Sequence, residues 1–289
     1  HTVLSPQTRL RHGDTIRYLV PAKPEPPVND RFETVYEDEN LQVINKPPNL
    51  PCHPAGAFFE NTLWKKLKAG DAKNKIRFIN RLDRETSGLV LVSKTRAHEP
   101  QLRRHYQAAS TVKRYIVLVE GILSEPLDAK GVILPDRRSC IRKKQRFIPE
   151  KDCSPSAARE GRQVRTHLTP LCSSEALTVV EAIPSTGRLH QIRATLHNLG
   201  FPVVGDKLYG KDETMFLRFI NGTLSPHDTG VLRLSHQALH AASVTFHGYV
   251  DNSPLDLKAA IPTDMMQLIT TIRAGMPCGE HADTPSPRP

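Results

Sequence analysis

Short apolar runs that read as strands outnumber helical stretches along this chain, and the two do not alternate regularly. Thr34-Val35-Tyr36 reads as a strand and Glu37 to Asn40 as an acidic turn. Leu41-Gln42-Val43-Ile44 reads as a second strand that Lys46-Pro47-Pro48 ends, because proline removes a ladder donor. Ser87-Gly88-Leu89-Val90-Leu91-Val92 lacks polar alternation and reads as a strand buried on both faces. Lys113 to Glu120, Leu177 to Ile183, His240 to Val244 and Leu255 to Ala260 read as further strands. Helices are predicted over Asn61–Lys68, capped by Asn61 or Thr62, and over Thr95–Gln107, capped by Thr95. A third is predicted over Arg188–Leu199, where Leu189, Ile192, Leu196 and Leu199 share one face and Gly200 and Pro202 stop the chain. Residues 121–165, rich in Pro, Gly and charge, read as short strands and loops. This order argues against a doubly wound sheet and predicts an α+β fold, with a mixed, mostly antiparallel central sheet flanked by helices and loops.

The chain divides into three parts. Residues 1–28 read as a turn into a short strand at Leu10 to Ile16, then a stiff linker carrying Pro21, Pro24, Pro26 and Pro27. Residues 29–266 form the main domain, and residues 267–289, with their Gly, Pro, Ser and charge, are expected to be a disordered tail. No run of 18 apolar residues exists to span a membrane, and no charged-then-apolar opening reads as a signal peptide. Lys plus Arg number 40 against 30 Asp plus Glu, a net charge of +10. That balance suits a polyanionic partner, nucleic acid before membrane, and equally suits a basic protein kept soluble by its charge. The cysteines at 52, 140, 153, 172 and 278 form no C-x-x-C pair, which suits reduced thiols in a cytosol-like compartment.

Three local patterns carry candidate chemistry. In Arg81-Leu82-Asp83-Arg84-Glu85-Thr86-Ser87-Gly88 a carboxylate sits between two arginines, in a loop before a buried strand. The arginines favour its ionised form. Read alone, the pattern fits a surface ion-pair cluster better than a catalytic loop. In Lys113-Arg114-Tyr115, Lys113 and Tyr115 share a strand face, which suits a flat, anionic ligand such as a nucleotide, or simply an ordinary tyrosine in a sheet. In Thr186-Gly187-Arg188-Leu189-His190-Gln191-Ile192-Arg193 a glycine turn enters a helix with a basic start, an anion-favouring arrangement. Arg193 lies off the apolar stripe, as a solvated arginine would. A dense basic group at Arg137, Arg138, Arg142, Lys143, Lys144 and Arg146 is either a solvated loop or a phosphate contact, the latter slightly favoured in so basic a chain. No phosphate-binding glycine loop, H-E-x-x-H helix or G-x-S-x-G elbow is present, and His190 and His197 find no third ligand, so no metal is expected.

Taken together and in order, these patterns resemble the RluA family of pseudouridine synthases, over about residues 32–262. Val35 to Leu41 with Val43-Ile44-Asn45-Lys46-Pro47 resembles the family's first motif, and Arg81 to Leu89 its catalytic motif. Lys113-Arg114-Tyr115 is similar to its K-x-Y strand. Thr186 to Arg193, with Gly205-Asp206-Lys207-Leu208-Tyr209-Gly210, is similar to its third motif, and Leu239-His240-Ala241 to its closing strand. Five matches in sequence are specific where any one is weak. The segment Leu10 to Ile16 resembles the end of the S4 RNA-binding domain that many members carry, most of which this chain does not contain. One departure is Asn80, where the family usually has His before R-L-D.

The resemblance implies the pseudouridine synthase fold and an isomerase that needs no cofactor. It breaks the N1–C1′ glycosidic bond of a uridine in ribosomal or transfer RNA, turns the uracil and joins C5 to C1′. Asp83 would be the catalytic carboxylate, by attack at C1′, addition at C6 or removal of a 2′ proton. Arg193 would pair with it, and Tyr115 would stack on the uracil and help remove the C5 proton. Arg81 would fill the gap left by the flipped base. Lys46, Arg188 and the basic group would hold phosphates, with Arg84, Lys113 and His190 also on the RNA. A cytoplasmic monomer is expected. The rival readings are an RNA-binding protein or chaperone on the same scaffold, for which Asp83 is dispensable, and a nucleoside hydrolase, which releases free uracil.

Overall fold

The computed structural model describes residue 5 and residues 7–16, 24–70, 76–174, 176–246 and 253–274. The tail beyond 274 and Pro21 lie outside the described residues. In chain order the elements are β1 (Glu33–Glu37), β2 (Leu41–Lys46), α1 (Leu63–Gly70), β3 (Arg77–Phe78), β4 (Ser87–Ser93), α2 (Glu99–Gln107), β5 (Val112–Glu120), β6 (Leu127–Pro135), β7 (Gln145–Pro149), α3 (Pro155–Glu160), β8 (Arg162–Ser173), β9 (Leu177–Pro184), α4 (Gln191–Asn198), α5 (Thr214–Asn221), α6 (Pro226–Leu232), β10 (Leu239–Phe246), β11 (Leu255–Lys258) and α7 (Thr263–Ala274). The strands join in one sheet, ordered β1-β2-β4-β10-β5-β9-β8-β6-β7, with β11 on β10 and β3 on β4. Every pairing among them is antiparallel except β4 with β10. The α+β fold with a mixed, mostly antiparallel sheet is as expected.

β4 is buried along its whole length. Val90 and Val92 join Ile44 and Leu63 on one face, while Leu89 and Leu91 join Leu102 and Phe246 on the other. Helices α1 and α2 therefore cover opposite faces of the same strand, which explains its lack of alternation. The largest core lies under β5, β8 and β9, where Val117, Val180 and Leu168 meet Ile192 and Leu196 of α4 and Met265, Ile269 and Ile272 of α7.

Several expectations are corrected. Helix α1 starts at Leu63 rather than Asn61, and Thr62, one of the two expected caps, accepts from Lys65 N–H at 3.2 Å. Helix α2 starts at Glu99, with Pro100 in its first turn, and Thr95 braces the preceding turn through His98 N–H at 3.3 Å. The segment 121–165 hides the start of the longest strand, β8, whose polar exposed face masks its buried Val164, Thr166 and Leu168. Residues 267–274 are not tail but the second half of α7, because Ile269 and Ile272 bury on the core. Residues 10–16 contain a turn and no strand, with Leu10 and Ile16 exposed and no pairing partner among the described residues. The proline segment attaches to the domain. The Glu25 carboxylate accepts from the N–H groups of Glu60 and Asn61 at 2.9 and 2.8 Å, and the carbonyls of Pro26 and Pro27 accept from Asn61 and Asn49.

Candidate active site

The Asp83 loop enters β4 at the one place where two strands run parallel. There Ser87 and Gly88 pair with His240 and Ala241 of β10. Gly88 has φ +107°, and a Cβ on it would fall on the backbone of Ala241. Only glycine lets these strands meet. Ala241 also opposes Tyr115 on β5, and Tyr115 opposes Ala182 on β9. A glycine and two alanines thus share a cross-sheet row with Tyr115 and leave its ring room.

Asp83 is met by Arg193 from α4. Arg193 Nη1 donates to Asp83 Oδ2 at 2.7 Å, while Nε and Nη2 donate to Asp206 at 2.6 and 2.8 Å. Asp206 is wholly buried and also accepts from the N–H groups of Leu208 and Tyr209 at 2.9 and 3.0 Å. The backbone turn thus aims Asp206, Asp206 aims Arg193, and Arg193 aims Asp83. Burial pushes the Asp83 carboxyl up, but the charge that His190 carries once protonated in acid, the Arg193 charge and bonds from Arg193 and Gln237 outweigh it and hold it at about 2. Asp83 is ionised at any physiological pH.

Two more side chains face Asp83. His190 occupies the left-handed region at φ +55° and has Nε2 3.8 Å from Asp83 Oδ1. Burial, with Arg193 second, holds its imidazole down at about 4. The Tyr115 phenol is pushed up to about 12, first by burial and then by the Asp83 charge. It hydrogen-bonds Tyr106, which also bonds Asn80. Asn80 brackets β4 by donating to Leu89 O at 3.0 Å and accepting from Leu91 N–H at 2.8 Å.

Buried bonds fix the loop itself. Leu50 N–H and Lys46 Nζ both donate to Arg84 O, at 3.0 and 3.2 Å, and Leu82 N–H reaches Cys52 Sγ at 3.4 Å. Lys207 Nζ donates to Glu85 at 2.7 Å and to Ser235 O at 2.8 Å. Gln237 donates to Thr86 Oγ1 in a short hydrogen bond. Gly205, at φ +76°, brings this wall in, since a Cβ there would meet the His236 carbonyl.

The structure brings Asp83, Arg193, Tyr115 and His190 together and separates others from them. Arg193 is 6% exposed rather than solvated, because it carries the ion-pair chain. Lys46 is wholly buried, donates to Pro47 O and Arg84 O, and is held down at about 8 by burial, so it braces the loop and offers no amine to a phosphate. Lys113 shares the Tyr115 face but turns into Tyr106, 3.3 Å from its carbonyl and 5.0 Å from its ring centre. Arg84 lies over the rings of Phe58 and Phe219. Arg81 and Arg188 are exposed, with no carboxylate partner among the described residues. Helix α4 begins at Gln191, not Arg188, and Leu189 is 52% exposed outside its apolar stripe. Within the basic group, Arg137, Arg138 and Lys144 pair with Glu160, Asp136 and Glu213, which frees Arg142, Lys143 and Arg146. Lys143 feels the charges of Arg193, Asp83 and Arg84 and stacks on Phe216 at 4.2 Å.

Asp206, Lys207, Tyr209 and Gln237 carry structural weight that local reading missed. The signal was present in Val203-Val204-Gly205-Asp206-Lys207-Leu208-Tyr209, where two opposite charges inside an apolar stretch must both find buried partners. A separate open groove of about 830 Å³ lies beside Lys46, Glu85, Phe219, His236 and Asp264 and does not include Asp83. The convergent charges stand at Asp83 and not in this groove. Among the described residues, no group of three or more His, Cys, Asp or Glu could hold a metal, and no helix is long and apolar enough to cross a membrane.

Residues 40–198 match the family described as RNA pseudouridylate synthase. The chain is 29% identical over 275 residues to ribosomal large subunit pseudouridine synthase D of Xanthomonas campestris pv. campestris, covering 93% of this chain and 78% of that one. It is 32% identical over 213 residues to the mitochondrial tRNA pseudouridine(32) synthase of Saccharomyces cerevisiae, covering 71% of this chain and 43% of that one. Among solved structures it is similar to human RNA pseudouridylate synthase domain containing 1, with a TM-score of 0.62 at 21% identity, covering 86% of this chain and 98% of that one. With the match spanning more than half of its length, this chain belongs to the RNA pseudouridylate synthase family.

Proposed function

We propose that this protein isomerises specific uridines of a structured ribosomal or transfer RNA to pseudouridine, with Asp83 as its catalytic carboxylate. The observation that carries this reading is an ionised carboxylate held 2.7 Å from a buried arginine and facing Tyr115 at the centre of the sheet. An unprotonated carboxylate fixed by charge needs no reorganisation before it acts at C1′, at C6 or on a 2′ proton. The N1–C1′ bond breaks, the uracil turns, C5 joins C1′, and the C5 proton leaves as N1 gains one, so atoms balance without a cofactor. Tyr115 supports the uracil by stacking and handles the C5 proton.

A stacked base cannot reach Asp83, so the target is flipped out, with Arg81 filling the space it leaves. Arg84, Lys143 and Arg188 form the positive rim for phosphates, since none has a carboxylate partner among the described residues. One chain supplies every named group, which suits a monomer, and the free cysteines among the described residues suit a reducing cytoplasm.

The test is to incubate the purified protein with total cellular RNA and map carbodiimide-reactive sites. New pseudouridines with wild type and none with folded Asp83→Ala are expected. Released uracil would favour hydrolysis, and unchanged conversion by Asp83→Ala would remove Asp83 from the reaction.

A further inference from the structure

We propose that His190 recognises the ribose of the target nucleotide, its Nε2–H and the Asp83 carboxylate together binding the 2′-hydroxyl. This rests on the reading that a uridine in RNA reacts at Asp83.

The argument starts at Tyr209. Its phenol oxygen accepts the Gln145 N–H at 2.7 Å and lies 2.9 Å from His190 Nδ1. Among the described residues, Nδ1 is the one acceptor that the phenol proton can reach. Tyr209 O–H therefore donates to Nδ1, and the imidazole proton must sit on Nε2. Burial and the Arg193 charge keep the ring neutral at physiological pH, which leaves Nδ1 free to accept.

Nε2–H faces Asp83 Oδ1 across 3.8 Å, too far for a hydrogen bond, while Asp83 Oδ2 is already held by Arg193. A ligand atom in that gap must accept from the imidazole and donate to the carboxylate. Uracil carbonyls and phosphate oxygens only accept, and the carboxylate would repel them. The uracil N3–H only donates, and Nε2–H would repel it. A hydroxyl does both. Within an RNA strand the 3′ and 5′ oxygens are esterified, so the 2′-hydroxyl is the one that remains. His190 also keeps the left-handed φ of +55°, which is strained for a non-glycine residue and aims the ring at Asp83.

The test uses a synthetic stem-loop carrying a uridine mapped above, made once with ribose and once with 2′-deoxyribose at that nucleotide. Wild type should lose about ten-fold or more in kcat/KM on the deoxy stem-loop, the worth of a hydrogen bond to a charged group. His190→Asn tolerates a left-handed backbone but is too short to reach. It should convert the ribose stem-loop about ten-fold or more slowly and discriminate against the deoxy form by less than about three-fold. Equal conversion of both stem-loops by wild type, or undiminished discrimination by His190→Asn, would overturn the proposal. His190→Gly provides the same comparison if His190→Asn does not fold. If wild type converts no uridine in cellular RNA, so that none can be mapped, the pseudouridine synthase reading itself is at fault.

Discussion

At the residue scale, the site is a chain of dependencies rather than a set of independent groups. Asp206 has no access to substrate, yet it holds Arg193 with two bonds, at 2.6 and 2.8 Å. Removing one charge of a buried pair strands the other, which costs roughly 3–5 kcal/mol. Asp206→Asn should therefore lower unfolding stability by that order and cut kcat by about a hundred-fold, as a mis-aimed electrostatic group does. Urea melts and single-turnover rates check both halves, and a stable, fully active variant would contradict the chain of dependence. Tyr115 is a sharper case. With its phenol at about 12, a phenolate is about a hundred-fold rarer than in free tyrosine. Tyr115→Phe keeps the ring and loses the oxygen. Proton handling by Tyr115 predicts loss of most turnover with substrate affinity retained, and an unchanged rate would assign the residue to stacking alone.

At the element scale, the site depends on how closely β4 and β10 approach. Gly88 sits under the Asp83 loop, in line with Ala241, Tyr115 and Ala182. Gly88→Ala adds a Cβ onto the Ala241 backbone at a φ that L residues avoid, so a loss of roughly 2–5 kcal/mol is expected. Gly230→Ala in α6 is the control, since nothing lies within 4 Å of its Cβ. It should be neutral or slightly stabilising. Comparing urea midpoints of the two variants separates close strand packing from a general intolerance of added methyl groups.

At the scale of the whole molecule, buried histidines tie stability to pH. His190 and His240 are both held at about 4 by burial, against about 6.5 when unfolded. The unfolded chain binds these protons first as the pH falls. Their contribution is complete above about 6.5 and is lost progressively down to about 4, at up to about 1.4 kcal/mol per histidine per pH unit. Denaturation at pH 7, 5.5 and 4.5 should show this slope, to which the depressed His53 and His197 add, and His190→Asn should reduce it measurably. A slope unchanged by that substitution would mean that His190 is not buried neutral. His190 also faces Asp83 across 3.8 Å, so acid should disturb the Asp83 site as it loosens the fold.

Much of this was legible in the sequence. The continuous apolar run at 87–92 specified a strand buried on both faces, and the motifs holding Asp83, Tyr115 and Arg193, taken together, resembled one family and named three residues that the fold brings side by side. Periodicity and turn chemistry act over a few residues, so they are written locally. What the tertiary structure alone decided is where charges go. By its local pattern Arg193 was indistinguishable from a solvated arginine, and only Asp83, 110 positions away, and Asp206 show it buried in an ion-pair chain. Lys46 and Lys113 were cations available to RNA until carbonyls from the Arg84 loop and from Tyr106 claimed them. Helix α7 was invisible because its buried face needs the core of β8 and β9 to give it meaning. Apolar pattern is a property of neighbours in sequence. The partner of a charge is a property of neighbours in space, and burial makes that partner the deciding term.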